Sequence, residues 1–109
     1  MKGGMKYDDG KTPLDLWSPD VLVEIAEVLS FGAKKYEAYN WAQGLSYRRV
    51  FAALLRHLWA FWRGQNLDDE TGRHHLAHAG CCLMFLLHYE MNREKFSVYD
   101  DRHDYGGEE

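Results

Sequence analysis

The segment from about Thr71 to about Arg93 constrains the fold most, because it is apolar almost all the way round a helix. One side carries the predicted core stripe, and the opposite side adds a histidine, a cysteine and two aromatic rings. The stripe consists of Leu76, Ala79, Gly80, Leu83, Leu86 and Leu87, and the opposite side of His78, Cys82, Phe85 and Tyr89. A helix with two apolar sides belongs in the interior of a helical bundle.

Two further helices are predicted before this one. Ser18-Pro19-Asp20 combines a capping hydroxyl, a first-turn proline and an acid, which favours a helix from about 19 to 31, or alternatively to Tyr36. A second helix is predicted from Tyr47 to Arg63, ending at Gly64. Its apolar stripe is Phe51, Leu54, Leu55, Leu58 and Trp62. Residues 1–17 read as an extended polar arm, and the acidic tail 97–109 as a frayed end or a partner-docking strand.

The predicted fold class is therefore all-α, with one domain over residues 1–109 and three main helices. Three such helices cannot bury apolar surface on two sides in a small monomer. We expect dimerisation through the second and third helices, which completes a bundle of four or more helices in a homodimer or homotetramer.

Charge and composition exclude several classes of protein. The net charge is −4, and the last ten residues hold five acids against Arg102, so a duplex nucleic acid is not the expected partner. No apolar run is long enough for a transmembrane helix, and the first residues lack the apolar stretch of a secretory signal. Adjacent Cys81 and Cys82 indicate reduced thiols, so we expect a cytoplasmic protein.

The histidines of the third helix are the first candidates for chemistry. His75 and His78 are one helical turn apart, and Asp68 and Glu70 stand just before them. Imidazoles at this spacing can share a metal ion to which a carboxylate adds oxygen. Alternatively, one histidine fills a core gap and the others lie on the surface.

Charged residues on the other two helices also suggest phosphate or metal binding. Arg49, Arg56 and Arg63 recur at steps of seven and can bind phosphate oxygens along one side of a helix. Glu24 and Glu27 on the first helix can hold Mg²⁺. Each set can equally be a charged face exposed to solvent.

The chain after the first helix mixes cations, aromatic rings and an amide. Lys34-Lys35-Tyr36 and Asn40-Trp41 can clamp phosphates and stack a base. Together with acids, histidines and arginines on neighbouring helices, this composition favours metal-assisted hydrolysis of a phosphoanhydride.

Five short blocks in order resemble a known family. They are Lys6-Tyr7-Asp8-Asp9-Gly10-Lys11, Phe31-Gly32-Ala33-Lys34-Lys35-Tyr36 with Asn40-Trp41, Leu55-Arg56-His57-Leu58, Asp68-x-Glu70-x-Gly72 and His75-Leu76-Ala77-His78-Ala79. Over about residues 6–90 the chain resembles the phage dATP/dGTP diphosphohydrolase (MazZ-like) family, related to the MazG all-α nucleotide pyrophosphohydrolases.

The resemblance implies hydrolysis of dGTP or dATP to the monophosphate and pyrophosphate with Mg²⁺ or Mn²⁺, in phage nucleotide-pool control. The superfamily binds its metal through an E-x-x-E pair and a later E-x-x-D pair. Glu24-Ile25-Ala26-Glu27 fits the first pair, but His75-x-x-His78 stands where the second is expected. Either imidazoles replace two carboxylates, or Glu70 and Asp68 hold the metal.

On this resemblance we expect two divalent ions and a triphosphate to share one cleft. The expected metal ligands are Glu24, Glu27, Asp68, Glu70, His75 and His78. The expected substrate-binding residues are Lys11, Lys34, Lys35, Tyr36, Asn40, Trp41, Arg49 and Arg56. His57 and Glu70 are the catalytic candidates, with His57 orienting or deprotonating the attacking water. The alternative is a nonenzymatic phage module that binds a partner or a softer metal such as Zn²⁺ or Ni²⁺.

Overall fold

The computed structural model describes residues 3–107, and the chain it describes is all-α, as predicted. Its helices are α1 (Pro19–Lys35), α2 (Tyr47–Trp62), α3 (His75–Met91) and the short α4 (Arg93–Phe96), with 3₁₀ turns at Leu14–Leu16, Asn40–Gln43 and Ser97–Tyr99. Within residues 3–107, β-pairing is limited to an isolated bridge between Leu67 and His74. None of these helices has both the length and the apolar character needed to cross a membrane.

Side-chain caps fix where the three long helices begin. Ser18 accepts a hydrogen bond from the Val21 amide with Pro19 in the first turn, as predicted, and Ser46 caps α2 in the same way. The α3 helix begins at His75 rather than at Thr71, because His74 is its cap and pairs with Leu67. The α1 helix runs through Gly32 to Lys35, which agrees with the longer of its two predicted ends.

The α3 helix lies between α1 and α2 and supplies most of the core. Small residues form the buried contacts, because Ala77 and Cys81 pack against Val28 of α1 while Ala79 and Cys82 pack on α2. Both cysteines are free, and burial raises the pKa of Cys81 to about 12, in agreement with the predicted reduced thiols.

The predicted core stripe of α3 is correct for three of its six residues. Ala79 is 3% exposed, Leu86 packs against the core, and an added Cβ at Gly80 would lie 3.1 Å from the Cδ1 atom of Ile25. The other three residues are exposed: Leu76 at 42%, Leu83 at 56% and Leu87 at 62%. The side predicted to be secondary, which carries Cys82 and Tyr89, is also buried. Helix packing therefore selects mainly the small residues and leaves these three leucines outside.

The region after α3 is folded back onto the start of α2. Asp101 accepts hydrogen bonds from the Ser46 hydroxyl and from the Arg48 amide. The Tyr99 ring lies so close to Gly44 (φ +109°) that a side chain there would collide with it. Residues 97–101 thus differ from the expected frayed end, whereas the described part of the N-terminal arm, residues 3–17, is exposed as expected.

We predict that Tyr89→Phe lowers the free energy of unfolding by about 0.5–1.5 kcal/mol. The Tyr89 ring is fully buried, and its hydroxyl donates a 2.5 Å hydrogen bond to the carbonyl oxygen of Trp41. Removal of the hydroxyl leaves that carbonyl with the Gly44 amide, at 3.2 Å, as its remaining donor. Urea denaturation measures the change, with Tyr105→Phe, at a position 90% exposed, as the control. Equal stability of both variants would contradict this account of the Tyr89 hydroxyl.

Candidate functional site

Two histidines from different helices face each other where α2 meets α3. The Nδ1 atoms of His57 and His75 are 2.8 Å apart. Together with Asp68 they offer three potential metal-ligand atoms that all lie within 4.8 Å of one another. His75 is 5% exposed, and its Nε2 atom has no hydrogen-bond partner among the described residues. The cluster of His57, Asp68 and His75 is called the histidine–aspartate cluster below.

The loop between α2 and α3 fixes Asp68. Its Oδ2 atom accepts hydrogen bonds from the amides of Glu70 (3.1 Å) and Thr71 (2.9 Å) and from the Thr71 hydroxyl (3.2 Å). Burial opposes ionisation, but these donors and the nearby His78 lower the pKa of Asp68 below its usual value. The cluster therefore contains a carboxylate that is ionised at neutral pH.

His78 adjoins the cluster as a third imidazole. Its Nε2 atom lies 2.7 Å from the Thr71 hydroxyl oxygen and 3.7 Å from Asp68 Oδ2. Because the Thr71 hydroxyl donates its proton to Asp68, its oxygen can accept the Nε2–H of His78. The His78 ring is stacked on His57, with centroids 4.4 Å apart and planes at 12°. His78 is thus held in one orientation against the cluster.

The electrostatics keep the His57 and His78 rings neutral at physiological pH. Burial, reinforced by His78 and His75, lowers the pKa of His57 to about 4. Burial also lowers the pKa of His78, although Asp68 acts in the opposite direction. Neutral imidazoles carry the lone pairs that bind metal ions or accept protons.

A cavity of about 600 Å³ opens beside this cluster and collects much of the predicted site. Its wall includes seven of the residues expected from the sequence: Lys35, Tyr36, Asn40, Trp41, His57, Glu70 and His78. Among the wall residues that sequence reasoning did not place in the site are Phe31, Tyr39, Thr71, Met84 and Phe85. Trp41 is stacked on Phe85 with ring centroids 5.1 Å apart. The cavity wall therefore combines aromatic rings with charged groups and imidazoles.

An ion pair between Lys35 and Glu70 lies on the cavity wall. Lys35 Nζ donates to Glu70 Oε2 at 3.3 Å, and this carboxylate raises the pKa of Lys35. Lys35 is the only lysine or arginine among the described residues of the wall. The cavity therefore has little positive charge of its own that is not already balanced.

Glu24 and Glu27 contact other groups. Both carboxylates contact the Arg73 guanidinium, at 3.2 and 3.5 Å, and Glu24 also accepts a hydrogen bond from the His74 amide. That amide, followed by Arg73, lowers the pKa of Glu24. Neither glutamate lies on the described cavity wall. The two acids tie α1 to the start of α3, and their role as metal ligands stays a prediction.

The remaining predicted phosphate-binding residues do not line the described part of this cavity. Lys11 forms an ion pair with Asp8 in the exposed arm, and Arg49 lines a separate cavity of about 470 Å³. Lys34 and Arg56 are also outside the described wall. Their predicted contacts with substrate therefore stay predictions.

Two residues that organise the site were not predicted from the sequence. Thr71 joins Asp68 to His78, and Arg73 neutralises the acids of α1. Thr71 stands inside the block Asp68-x-Glu70-x-Gly72, so its position in the sequence could have identified it as a site residue. Nothing in the sequence identified Arg73, because its partners Glu24 and Glu27 lie more than 40 residues away.

Comparison with known proteins gives a consistent result. The family model described as dATP/dGTP diphosphohydrolase, N-terminal, matches residues 1–102. A dATP/dGTP diphosphohydrolase of Salmonella phage PMBT28 is 44% identical over 99 residues, which are 91% of this chain and 33% of that relative. The chain thus spans about a third of the length of the curated relative that it matches. No solved structure matches the chain significantly.

We predict that the metal-free protein becomes less stable as the pH falls from about 6.5 to about 4. The pKa of His57 is about 4 in the folded chain, so the unfolded state binds more protons over this interval. His57→Gln should flatten this part of the pH dependence. Thermal unfolding with a chelator present, from pH 4 to pH 8, measures it. An identical pH profile in wild type and His57→Gln would contradict the assigned shift.

Proposed function

Because the chain belongs to the dATP/dGTP diphosphohydrolase, N-terminal family, we propose that it hydrolyses purine deoxynucleoside triphosphates. The products are the monophosphate and pyrophosphate, and the reaction uses Mg²⁺ or Mn²⁺. The purine substrates follow from the name of the phage relative, a dATP/dGTP diphosphohydrolase. In an infected cell such an enzyme acts in the cytoplasm and adjusts the purine nucleotide pool.

The observation that carries this proposal is the mixed lining of the 600 Å³ cavity, which combines aromatic rings with carboxylate and imidazole groups. The aromatic rings suit a purine base, since every base has a face on which a ring can stack. The carboxylate and imidazole groups suit a triphosphate with its ion. Tyr36 is 65% exposed on the wall, with the Lys35 ammonium 5.6 Å from its ring centroid, and can turn onto a base, whereas Trp41 is already stacked on Phe85.

The charge of the cavity supports a divalent ion. A triphosphate brings several negative charges, and the lysine of the described wall is already paired with Glu70. An ion in the histidine–aspartate cluster would offset phosphate charge and activate water. Lys35 would contact phosphate oxygens once the pair with Glu70 opens.

Glu70 is the residue we place closest to the proton transfer. Its carboxylate is exposed at the cavity wall, and among residues 3–107 its hydrogen-bond donor is Lys35. When Lys35 turns to phosphate, the Glu70 carboxylate is released and can accept a proton from the attacking water. The ion pair thus couples substrate binding to the availability of the base.

We further propose that the chain forms a homodimer or homotetramer. Exposed apolar residues recur along one stripe of α2 and one of α3: Phe51, Leu55, Leu58 and Trp62 on α2, and Leu76, Leu83 and Leu87 on α3. Surfaces of this kind are typical of interfaces between subunits. The expected assembly through these two helices would cover both stripes.

Leu83→Glu together with Leu87→Glu should dissociate this assembly, because each substitution places a charge in the proposed interface. Sedimentation equilibrium at micromolar concentration measures the mass. The wild type is expected at two or four chains and the double variant at one. Val98→Glu, 81% exposed and outside α2 and α3, is the control. A wild type that sediments as a single chain would contradict the proposal.

The activity is tested by incubating the protein with each deoxynucleoside triphosphate and Mg²⁺ or Mn²⁺. Chromatography then separates pyrophosphate from phosphate. We expect pyrophosphate from dGTP or dATP, and a loss of at least about 100-fold in kcat for Glu70→Gln and for His78→Ala. Glu94→Gln, on α4 and outside the cavity wall, is the matched control.

Full activity of both variants with circular dichroism unchanged would overturn the roles assigned to Glu70 and His78. No hydrolysis of any nucleotide by the wild type would overturn the proposed reaction and would favour a metal-binding module without catalysis. The histidine–aspartate cluster is the observation that supports this second candidate.

A further inference from the structure

We infer that the histidine–aspartate cluster is a mixed nitrogen–oxygen site for a divalent transition-metal ion, which it binds in preference to Mg²⁺. The ligands are His57, His75 and Asp68, and His78 with Thr71 orients them without binding the ion. The inference rests on the proposed function in one respect, namely that hydrolysis in the adjacent cavity requires a divalent ion. It gives that ion a ligand set unlike the paired carboxylates expected from the resemblance.

The spacing of the two imidazoles is that of neighbouring ligands on one ion. Ligands about 2.1 Å from a metal and at right angles to each other are about 3 Å apart. The Nδ1 atoms of His57 and His75 are 2.8 Å apart, and their rings are tilted by 44° rather than stacked. The lone pairs of both Nδ1 atoms can therefore point toward one ion that lies to the side of the His57–His75 contact.

Asp68 supplies the oxygen ligand. Its Oδ2 atom already accepts three hydrogen bonds, which fix the plane of the carboxylate and leave Oδ1 for an ion. These donors come from Glu70 and Thr71 in the same loop, so the carboxylate is positioned before any ion arrives. A pre-positioned ligand loses little conformational entropy on binding.

His78 has the geometry of a supporting group. Its ring is nearly parallel to His57, and the lone pairs of stacked imidazoles lie in separate planes, so the two cannot easily point at one ion. Its hydrogen bond to Thr71 instead links it to Asp68. Such links to ligands commonly raise metal affinity by about 10- to 100-fold.

Burial of His75 gives independent support. An imidazole with a side-chain nitrogen that is buried and unpaired costs stability, and His75 Nε2 is such an atom among the described residues. An apolar residue would pack at this position without that cost. A histidine at this position is therefore best explained by a role for its Nδ1 atom, which faces His57.

The donor set determines which ions fit. Mg²⁺ prefers oxygen ligands and retains water, whereas imidazole suits transition-metal ions such as Fe²⁺, Ni²⁺ and Zn²⁺. Mn²⁺ binds such sites more weakly than these ions do, and it serves here as their paramagnetic probe. Two imidazoles and one carboxylate leave positions open for water and for phosphate oxygens. The cluster therefore fits a transition-metal ion better than it fits Mg²⁺.

The experiment measures metal binding without nucleotide. Full-length protein freed of any affinity tag and stripped with a chelator is titrated with Mn²⁺, and electron paramagnetic resonance counts the free ion. We expect one bound Mn²⁺ per chain, nitrogen modulation from imidazole in the pulsed spectrum, and retention in a 100-fold excess of Mg²⁺. His57→Ala, His75→Asn and Asp68→Asn should each weaken binding by at least about 100-fold, and Thr71→Val by about 10-fold.

His74→Ser is the matched control. It removes the histidine adjacent to His75 but keeps a side chain that can cap α3, so Mn²⁺ affinity should stay within about twofold of wild type. Circular dichroism checks the fold of each variant. If His75→Asn does not fold, His57→Ala and Asp68→Asn carry the test, since both residues are only partly buried.

Three results would overturn the inference: no bound Mn²⁺, bound Mn²⁺ without nitrogen modulation, or unchanged affinity in folded His57→Ala and Asp68→Asn. The proposed function fails separately. Tight nitrogen-ligated Mn²⁺ with no nucleotide hydrolysis would support this site and overturn the reaction. Hydrolysis with Mg²⁺ by a protein that does not bind Mn²⁺ would do the reverse.

Discussion

The packing of α3 between α1 and α2 is the constraint on which the site depends. Small residues of α3, among them Ala79 and Cys82, let α2 approach closely. That approach brings His57 of α2 within 2.8 Å of His75 at the start of α3. The polar site therefore occupies the end of an apolar interface, where neither imidazole can be satisfied by solvent alone. A core substitution that separates α2 from α3 would therefore move the ligands apart even though no ligand is itself replaced.

The loop between α2 and α3 adds a negative charge, the Asp68 carboxylate, to the contact between the two histidines. The Asp68 carboxylate accepts hydrogen bonds within its own loop, and these donors keep it ionised. The Thr71 hydroxyl contacts both Asp68 and His78 and so fixes the His78 ring relative to the carboxylate. On the opposite side, Arg73 binds the acids of α1 and so anchors the same loop. The carboxylates thus differ in their partners. Glu24 and Glu27 contact the Arg73 guanidinium and brace the fold, whereas Asp68 lies beside the imidazoles and Glu70 lines the cavity.

Much of the fold was predictable because helical periodicity and capping are local. Ser18 marks the start of α1, and Asp68, Glu70, His75 and His78 are close together because they lie on a short loop and the first turn of α3. The inward side of α3 was not predictable, because a helix that is apolar all round does not show which side is buried. The contact between His57 and His75 was also hidden, since it depends on the register of two helices.

Diffraction from crystals grown with Mn²⁺ and a non-hydrolysable dGTP analogue tests the central claim most directly. The account predicts one anomalous peak at the Mn absorption edge within ligand distance of His57, His75 and Asp68, with the purine among the aromatic residues of the cavity. A peak at Glu24 and Glu27 instead, with Arg73 displaced, would contradict it.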